Sequence, residues 1–141
     1  MKIRRMLSSD IDNVIKYENE YLGSTLGKDY FKRLIDDKYS CFLVLEDNDI
    51  LIGYISSTLD TYAEILNFFV VKENRGRGYG KELLESVISA AKENKCQSIY
   101  LEVNSNNIQA ISLYKSCGFE INHIRKNYYK DADAYAMIKE L

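Results

Sequence analysis

Between Ala63 and Ala91 the sequence changes character twice. The run Ala63 to Val71 is apolar and dense in β-branched and aromatic residues, and it reads as a buried strand. It ends just before Arg75-Gly76-Arg77-Gly78-Tyr79-Gly80. From there Leu83, Leu84, Val87, Ile88, Ala90 and Ala91 recur at the spacing of one helix face. A strand that passes through a glycine-rich loop into a helix places that loop at the helix N-terminus. Glycine there admits positive φ and lets backbone approach a ligand closely. The helix start adds unpaired N–H groups and the positive end of its dipole. With two arginines in the loop, the junction predicts a site for phosphate or pyrophosphate. The alternative is a turn with a structural role alone.

The flanking sequence supplies a sheet for that junction. Lys2 to Met6 reads as a short extended start. Ser8-Ser9-Asp10 offers N-cap oxygens to a helix carrying Ile11, Val14, Ile15, Glu18, Tyr21 and Leu22. Gly23 and Gly27 bracket a break, and Tyr30, Phe31, Leu34 and Ile35 mark a second short helix. The period then changes. Cys41 to Leu45 and Ile50 to Leu59 read as strands joined at Asp47-Asn48-Asp49, which is turn chemistry. Gln97 to Val103 reads as a strand, Asn107 to Cys117 as a helix stopped by Gly118, and Phe119 to Lys126 and Tyr135 to Lys139 as closing strands. The order β-α-α-β-β-β-α-β-α-β-β predicts an α/β fold on a mixed sheet. At 141 residues without linker or repeat, residues 1–141 are expected to form one domain.

Composition narrows the partners. Net charge is −2, from 19 Lys+Arg against 21 Asp+Glu, so neither a nucleic-acid footprint nor a polybasic membrane segment is present, and neither partner is expected. Cys41, Cys96 and Cys117 form no Cys-x-x-Cys pair and His123 stands alone, so no metal is expected. Buried thiols and the lack of a long apolar N-terminal stretch point to a reduced, cytoplasmic setting. The chain is expected to act as a monomer or weak homodimer.

Two commoner phosphate loops do not fit. A Walker A loop would need Gly where Arg75 stands and Ser or Thr where Glu82 stands. Gly76, Gly78 and Gly80 are spaced two apart, unlike a dinucleotide fingerprint. A second motif follows: Asn107-x-x-Ala110-Ile111-x-Leu113-Tyr114-x-x-x-Gly118-Phe119. Together the two resemble the GCN5-related N-acetyltransferase (GNAT) superfamily, whose acetyl-CoA loop Arg75-x-x-Gly78-x-Gly80 looks like. Glu64 to Val71, Leu101-Glu102-Val103, Arg125-x-Asn127-Tyr128-Tyr129 and Asp133-Ala134-x-x-Met137 are similar to the bacterial RimI-like branch of ribosomal-protein alanine N-acetyltransferases. The Pro-Trp of that branch is missing between the first two helices, where Tyr21 to Gly27 reads Tyr-Leu-Gly-Ser-Thr-Leu-Gly.

The resemblance implies a central mixed sheet flanked by about four helices and direct attack of an acceptor amine on acetyl-CoA in a ternary complex. It implies cofactor contacts from Phe68, Phe69, Val70, Arg75, Gly76, Arg77, Gly78, Tyr79, Gly80 and Asn107, the last equally natural as a helix N-cap. It implies Tyr114 as general acid and Glu102 as general base. Alternation along that strand puts Tyr100 and Glu102 on one face and Leu101 and Val103 on the other. Glu64 is the rival base, and Glu64, Asn67, Tyr128 and Tyr129 are expected to line the acceptor groove. The acceptor is expected to be a protein N-terminus. A small-molecule amine acetyltransferase and a non-catalytic acetyl-CoA-binding module stay open as alternatives.

Overall fold

A computed structural model describes residues 1–141. Seven strands form one sheet: β1 (Lys2–Arg5), β2 (Ser40–Asp47), β3 (Ile50–Thr58), β4 (Tyr62–Val70), β5 (Ser98–Asn104), β6 (Glu120–Tyr129) and β7 (Ala132–Glu140). Four helices accompany them: α1 (Ile11–Leu22), α2 (Lys28–Leu34), α3 (Tyr79–Glu93) and α4 (Ile108–Ser116). The sheet order is β1-β2-β3-β4-β5-β7-β6. Only β4 and β5 run parallel, and α3 connects them; every other neighbour is antiparallel. The expected mixed α/β sheet is therefore present. No helix is long and apolar enough to cross a membrane.

The sheet is buried on both sides at its centre, which is why β2 and β3 read as continuous apolar runs. Ile55, Ile99, Leu101 and Met137 pack beneath α3 and α4 with Leu83, Leu84 and Val87. On the opposite face Phe42, Val44, Tyr54 and Phe69 pack against Ile11, Val14 and Phe31 of α1 and α2. Phe31, Phe42 and Tyr54 meet there edge to face, with ring centroids 5.6 and 6.2 Å from Phe31.

Three local expectations change. Asp10 precedes α1 but makes no side-chain cap. Its carboxyl instead accepts from the Leu7 N–H at 2.7 Å and from the Arg4 guanidinium at 2.8 and 2.9 Å, and Arg4 also pairs with Glu46. That network pins β1 to the start of α1. Cys41 and Cys96 are buried as expected, but Cys117 is half-exposed. The closing strands run longer than their apolar residues indicate, because β6 is exposed along nearly its whole length and carries no burial pattern.

Candidate active site

β4 and β5 pair only from Tyr62–Glu64 against Ser98–Tyr100. Beyond that they diverge, although β4 continues to Val70 and β5 to Asn104. The divergence begins at a bulge: Ser57 faces Ile65 and Ser56 faces Asn67, so Leu66 is an extra residue in β4. Bulges bend a strand and increase its twist. This one also exchanges the strand's two faces. Before it, Ala63 and Ile65 point toward α3 and α4; after it, Phe68 and Val70 do, while Phe69 points toward α1 and α2. The N–H of Asn67 meets the Ser56 hydroxyl and that of Val71 the Ile52 carbonyl, both on β3. By alternation, the N–H groups of Phe68 and Val70 face the gap left by β5.

A cleft of about 590 Å³ opens on this gap. Phe68, Phe69 and Val70 form one wall, the loop and first turn of α3 a second, and Asn107, Ala110, Leu113 and Tyr114 of α4 a third. Tyr21 and Leu22 close it from the end of α1. No carboxylate lines it; Arg75 and Lys81 do, and the N-termini of α3 and α4 both open into it. Such a cleft favours an anion. Gly76 and Gly78 hold φ values of +77° and +84°, which any side chain would strain. Gly80 is under no such strain: a Cβ there would meet the Phe68 and Leu113 side chains at 3.4 Å, an ordinary contact distance.

Asn107 caps α4, its Oδ1 accepting from the Ala110 N–H at 3.2 Å, and also lines the cleft. Tyr114 lies two turns further along α4, 7% exposed and packed between Phe68 and Phe119 with ring centroids at 6.3 and 5.9 Å. Burial pushes its phenol up to about 12. Arg77 is not among the lining residues. Arg75 is, and it also holds the loop: its Nε donates to the Val70 carbonyl at 2.9 Å and its guanidinium stacks 5.2 Å over the Tyr21 ring.

The remaining expected residues gather on the other face of the splay. Glu102 lies opposite Leu101 and Val103, as alternation requires, and receives Nη1 of Arg125 at 3.1 and 3.0 Å, one contact to each carboxyl oxygen. Arg125 in turn stacks 4.5 Å over Tyr128, which meets Tyr129 edge to face at 5.1 Å. Glu64 is in register with Tyr100 across the β4–β5 pair. Burial, and then the charge of Glu102, raise its carboxyl above the ordinary value. Asn67 is turned toward α1, donating its amide to Glu18 at 2.7 Å. Tyr114 and Glu102 thus stand on opposite sides of the divergence.

The acetyltransferase (GNAT) family profile matches residues 11–119, from α1 to the end of the α4 motif. The chain belongs to the GNAT family. A Bacillus subtilis protein provisionally named a ribosomal protein bS18-alanine N-acetyltransferase is 35% identical over 96% of this chain and 91% of its own. An N-alpha-acetyltransferase of Sulfurisphaera tokodaii is 29% identical over 99% of this chain and 93% of its own. The crystal structure of the Escherichia coli ribosomal-protein-S18-alanine N-acetyltransferase superposes with a TM-score of 0.86 at 24% identity, over 99% of this chain and 92% of that one, which shows a shared fold. The chain is an acetyl-CoA-dependent N-acetyltransferase.

The cleft of this GNAT protein fits acetyl-CoA. Its carboxylate-free lining, two helix N-termini and cationic Arg75 and Lys81 suit a pyrophosphate, and the open β4 edge offers donors to an extended amide chain. Replacing Arg75 with Ala is expected to weaken acetyl-CoA binding about 10-fold by calorimetry. Lys is expected to restore less than half of that loss in free energy. It supplies charge, but not the planar stack on Tyr21 together with the Nε contact. Residue patterns gave no hint of Tyr21, Lys81 or Gln109 as cleft walls, nor of a partner for Glu102. Arg125 belonged to a recognised motif, but its role needed the strand register.

Proposed function

We propose that this acetyltransferase, acting as a single domain over residues 1–141, acetylates the α-amine of a protein N-terminus. The reading is carried by the arrangement on the α1/α2 face, where Glu64 and Glu102 stand beside an aromatic wall of Tyr100, Tyr128 and Tyr129. Glu64, which has no cationic partner, draws in a cationic amine beside the Arg125-paired Glu102. The half-exposed Tyr128 continues the wall away from them, where the residues following the amine would lie. The names of the relatives support the same acceptor class.

Acetyl-CoA supplies an acetyl group already activated as a thioester. The loop Arg75–Gly80, Asn107 and the Phe68 and Val70 N–H groups hold and orient it. Those same N–H groups face the gap and suit the charge that builds on the acetyl oxygen. Glu102, fixed by Arg125, takes the amine proton on one side of the gap. Tyr114 Oη hydrogen-bonds the departing sulfur on the other. An α-amine has a pKa of ~8 and is about one-tenth neutral at pH 7, whereas lysine at ~10.4 is neutral below ~0.1%. A carboxylate base therefore serves an α-amine better.

A thiol-release assay tests the acceptor with peptides beginning Ala, Ser or Met, lysine peptides with blocked N-termini, and polyamines. Turnover is expected on Ala- or Ser-peptides. Turnover confined to small amines would overturn the acceptor assignment and favour the second reading, which the missing Pro-Trp between α1 and α2 supports. Silence on every amine, with acetyl-CoA still bound, would overturn the acceptor assignment as well.

A further inference from the structure

Glu18 is fully buried, and it forms no ion pair. Its place on α1 puts it in the apolar core of the α1/α2 face, where a lone carboxyl group is costly. Both of its oxygens are taken. Oε1 accepts from the Thr25 hydroxyl and Oε2 from the Asn67 amide at 2.7 Å. Thr25 passes the connection on, its Oγ1 accepting from the Gly27 N–H at 3.1 Å.

These partners come from two places that matter for the acceptor. Thr25 is the polar anchor of the α1–α2 loop, whose ends, Gly23 and Gly27, both lie at positive φ with open space around them. Asn67 is the first residue after the Leu66 bulge, next to Phe68, whose N–H faces the gap. A single side chain thus ties a loop with glycine hinges to the strand that borders the chemistry. If burial were all that mattered, an apolar residue would serve this position better than an unpaired carboxyl group.

We propose that Glu18 is a positioning residue that sets the acceptor entrance. By holding Thr25 and Asn67 together it fixes the separation between the α1–α2 loop and the open edge of β4, and so the space left for the first residue of the acceptor. This rests on the reading that the acceptor enters on the α1/α2 face.

Steady-state kinetics of the full chain test it, varying acceptor and acetyl-CoA separately, well below the melting temperature of each variant. The acceptor is whichever amine the wild type turns over fastest. Glu18→Gln keeps the shape but replaces one acceptor oxygen by an NH2 group, so Thr25 and Asn67 can no longer both donate to it. It is expected to raise the acceptor KM ~10-fold or more, leaving the acetyl-CoA KM within ~2-fold and kcat within ~3-fold. Thr25→Val, which cuts the other arm, is expected to act in the same direction. Adding Asn67→Asp to Glu18→Gln reverses the polarity of the hydrogen bond and is expected to recover most of the lost acceptor KM. An unchanged acceptor KM in Glu18→Gln would overturn the inference. So would equal losses in both KM values and kcat that follow melting temperature and are not rescued by Asn67→Asp. A wild type that turns over no amine would instead overturn the functional reading beneath it.

Discussion

Replacing Tyr114 with Phe is expected to lower kcat ~10²-fold while leaving acetyl-CoA affinity near wild type. The ring stays, so its packing between Phe68 and Phe119 stays, and only the hydroxyl is lost. That hydroxyl makes no hydrogen bond within the protein, yet it is not sealed off: Tyr54 alone carries a fully buried side-chain polar atom without a partner. With a pKa raised to about 12, Tyr114 stays protonated throughout the neutral range. Complete transfer to a thiolate is then harder than from an ordinary phenol. The phenol therefore acts first as a hydrogen-bond donor to sulfur as charge develops, and the proton passes fully only as water and charge enter the cleft. Rapid-quench measurement of the transfer step, beside calorimetry of acetyl-CoA, checks this. Unchanged turnover in the Phe variant would remove Tyr114 from the chemistry.

Glu102→Gln is expected to cut kcat/KM for an α-amine ~10²-fold near pH 7, and the deficit should shrink as pH rises past ~8. The sign follows from the substrate: above its own pKa the amine arrives neutral and needs no base. Glu64 is poorly placed to compensate. Its carboxyl is raised by burial and then by the charge of Glu102. Losing that charge lets its pKa fall toward the ordinary range and makes it the weaker base. Glu64→Gln alone is expected to cost ~10-fold or less. Profiles of kcat/KM from pH 6 to 10 for both variants decide the assignment. A larger loss in Glu64→Gln, with recovery at high pH, would transfer the role of base to Glu64.

Much of this was legible in residue patterns because it depends on local periodicity. The glycine junction, the α4 cap at Asn107 and the placing of Glu102 on the polar face of β5 follow from spacing along one element. What stayed hidden depends on contacts between elements. Ala63 to Val71 is mostly apolar, and the one trace of the extra residue is that its two polar residues, Glu64 and Asn67, stand an odd three apart yet share a face. Glu18 sits at a helical position where a solvated carboxylate is the commoner outcome, and its burial depends on Thr25 and Asn67, far off in sequence. Arg125 and Glu102 meet only because β6, β7 and β5 lie side by side. Asp10 has the chemistry of a cap but finds Arg4 instead.

The bulge in β4 gives that strand two reading frames. Upstream of Leu66 odd-numbered residues look toward α3 and α4; downstream, even-numbered ones do. The acidic entrance, represented by Glu64, is written in one frame, and the cleft wall, represented by Phe68 and Val70, in the other. Losing Leu66 would merge the frames and leave Phe68 in the cleft and Asn67 at Glu18, but it would remove the extra residue that bends β4 away from β5. The extra residue thus sets where β4 parts from β5, and with it where the cleft opens.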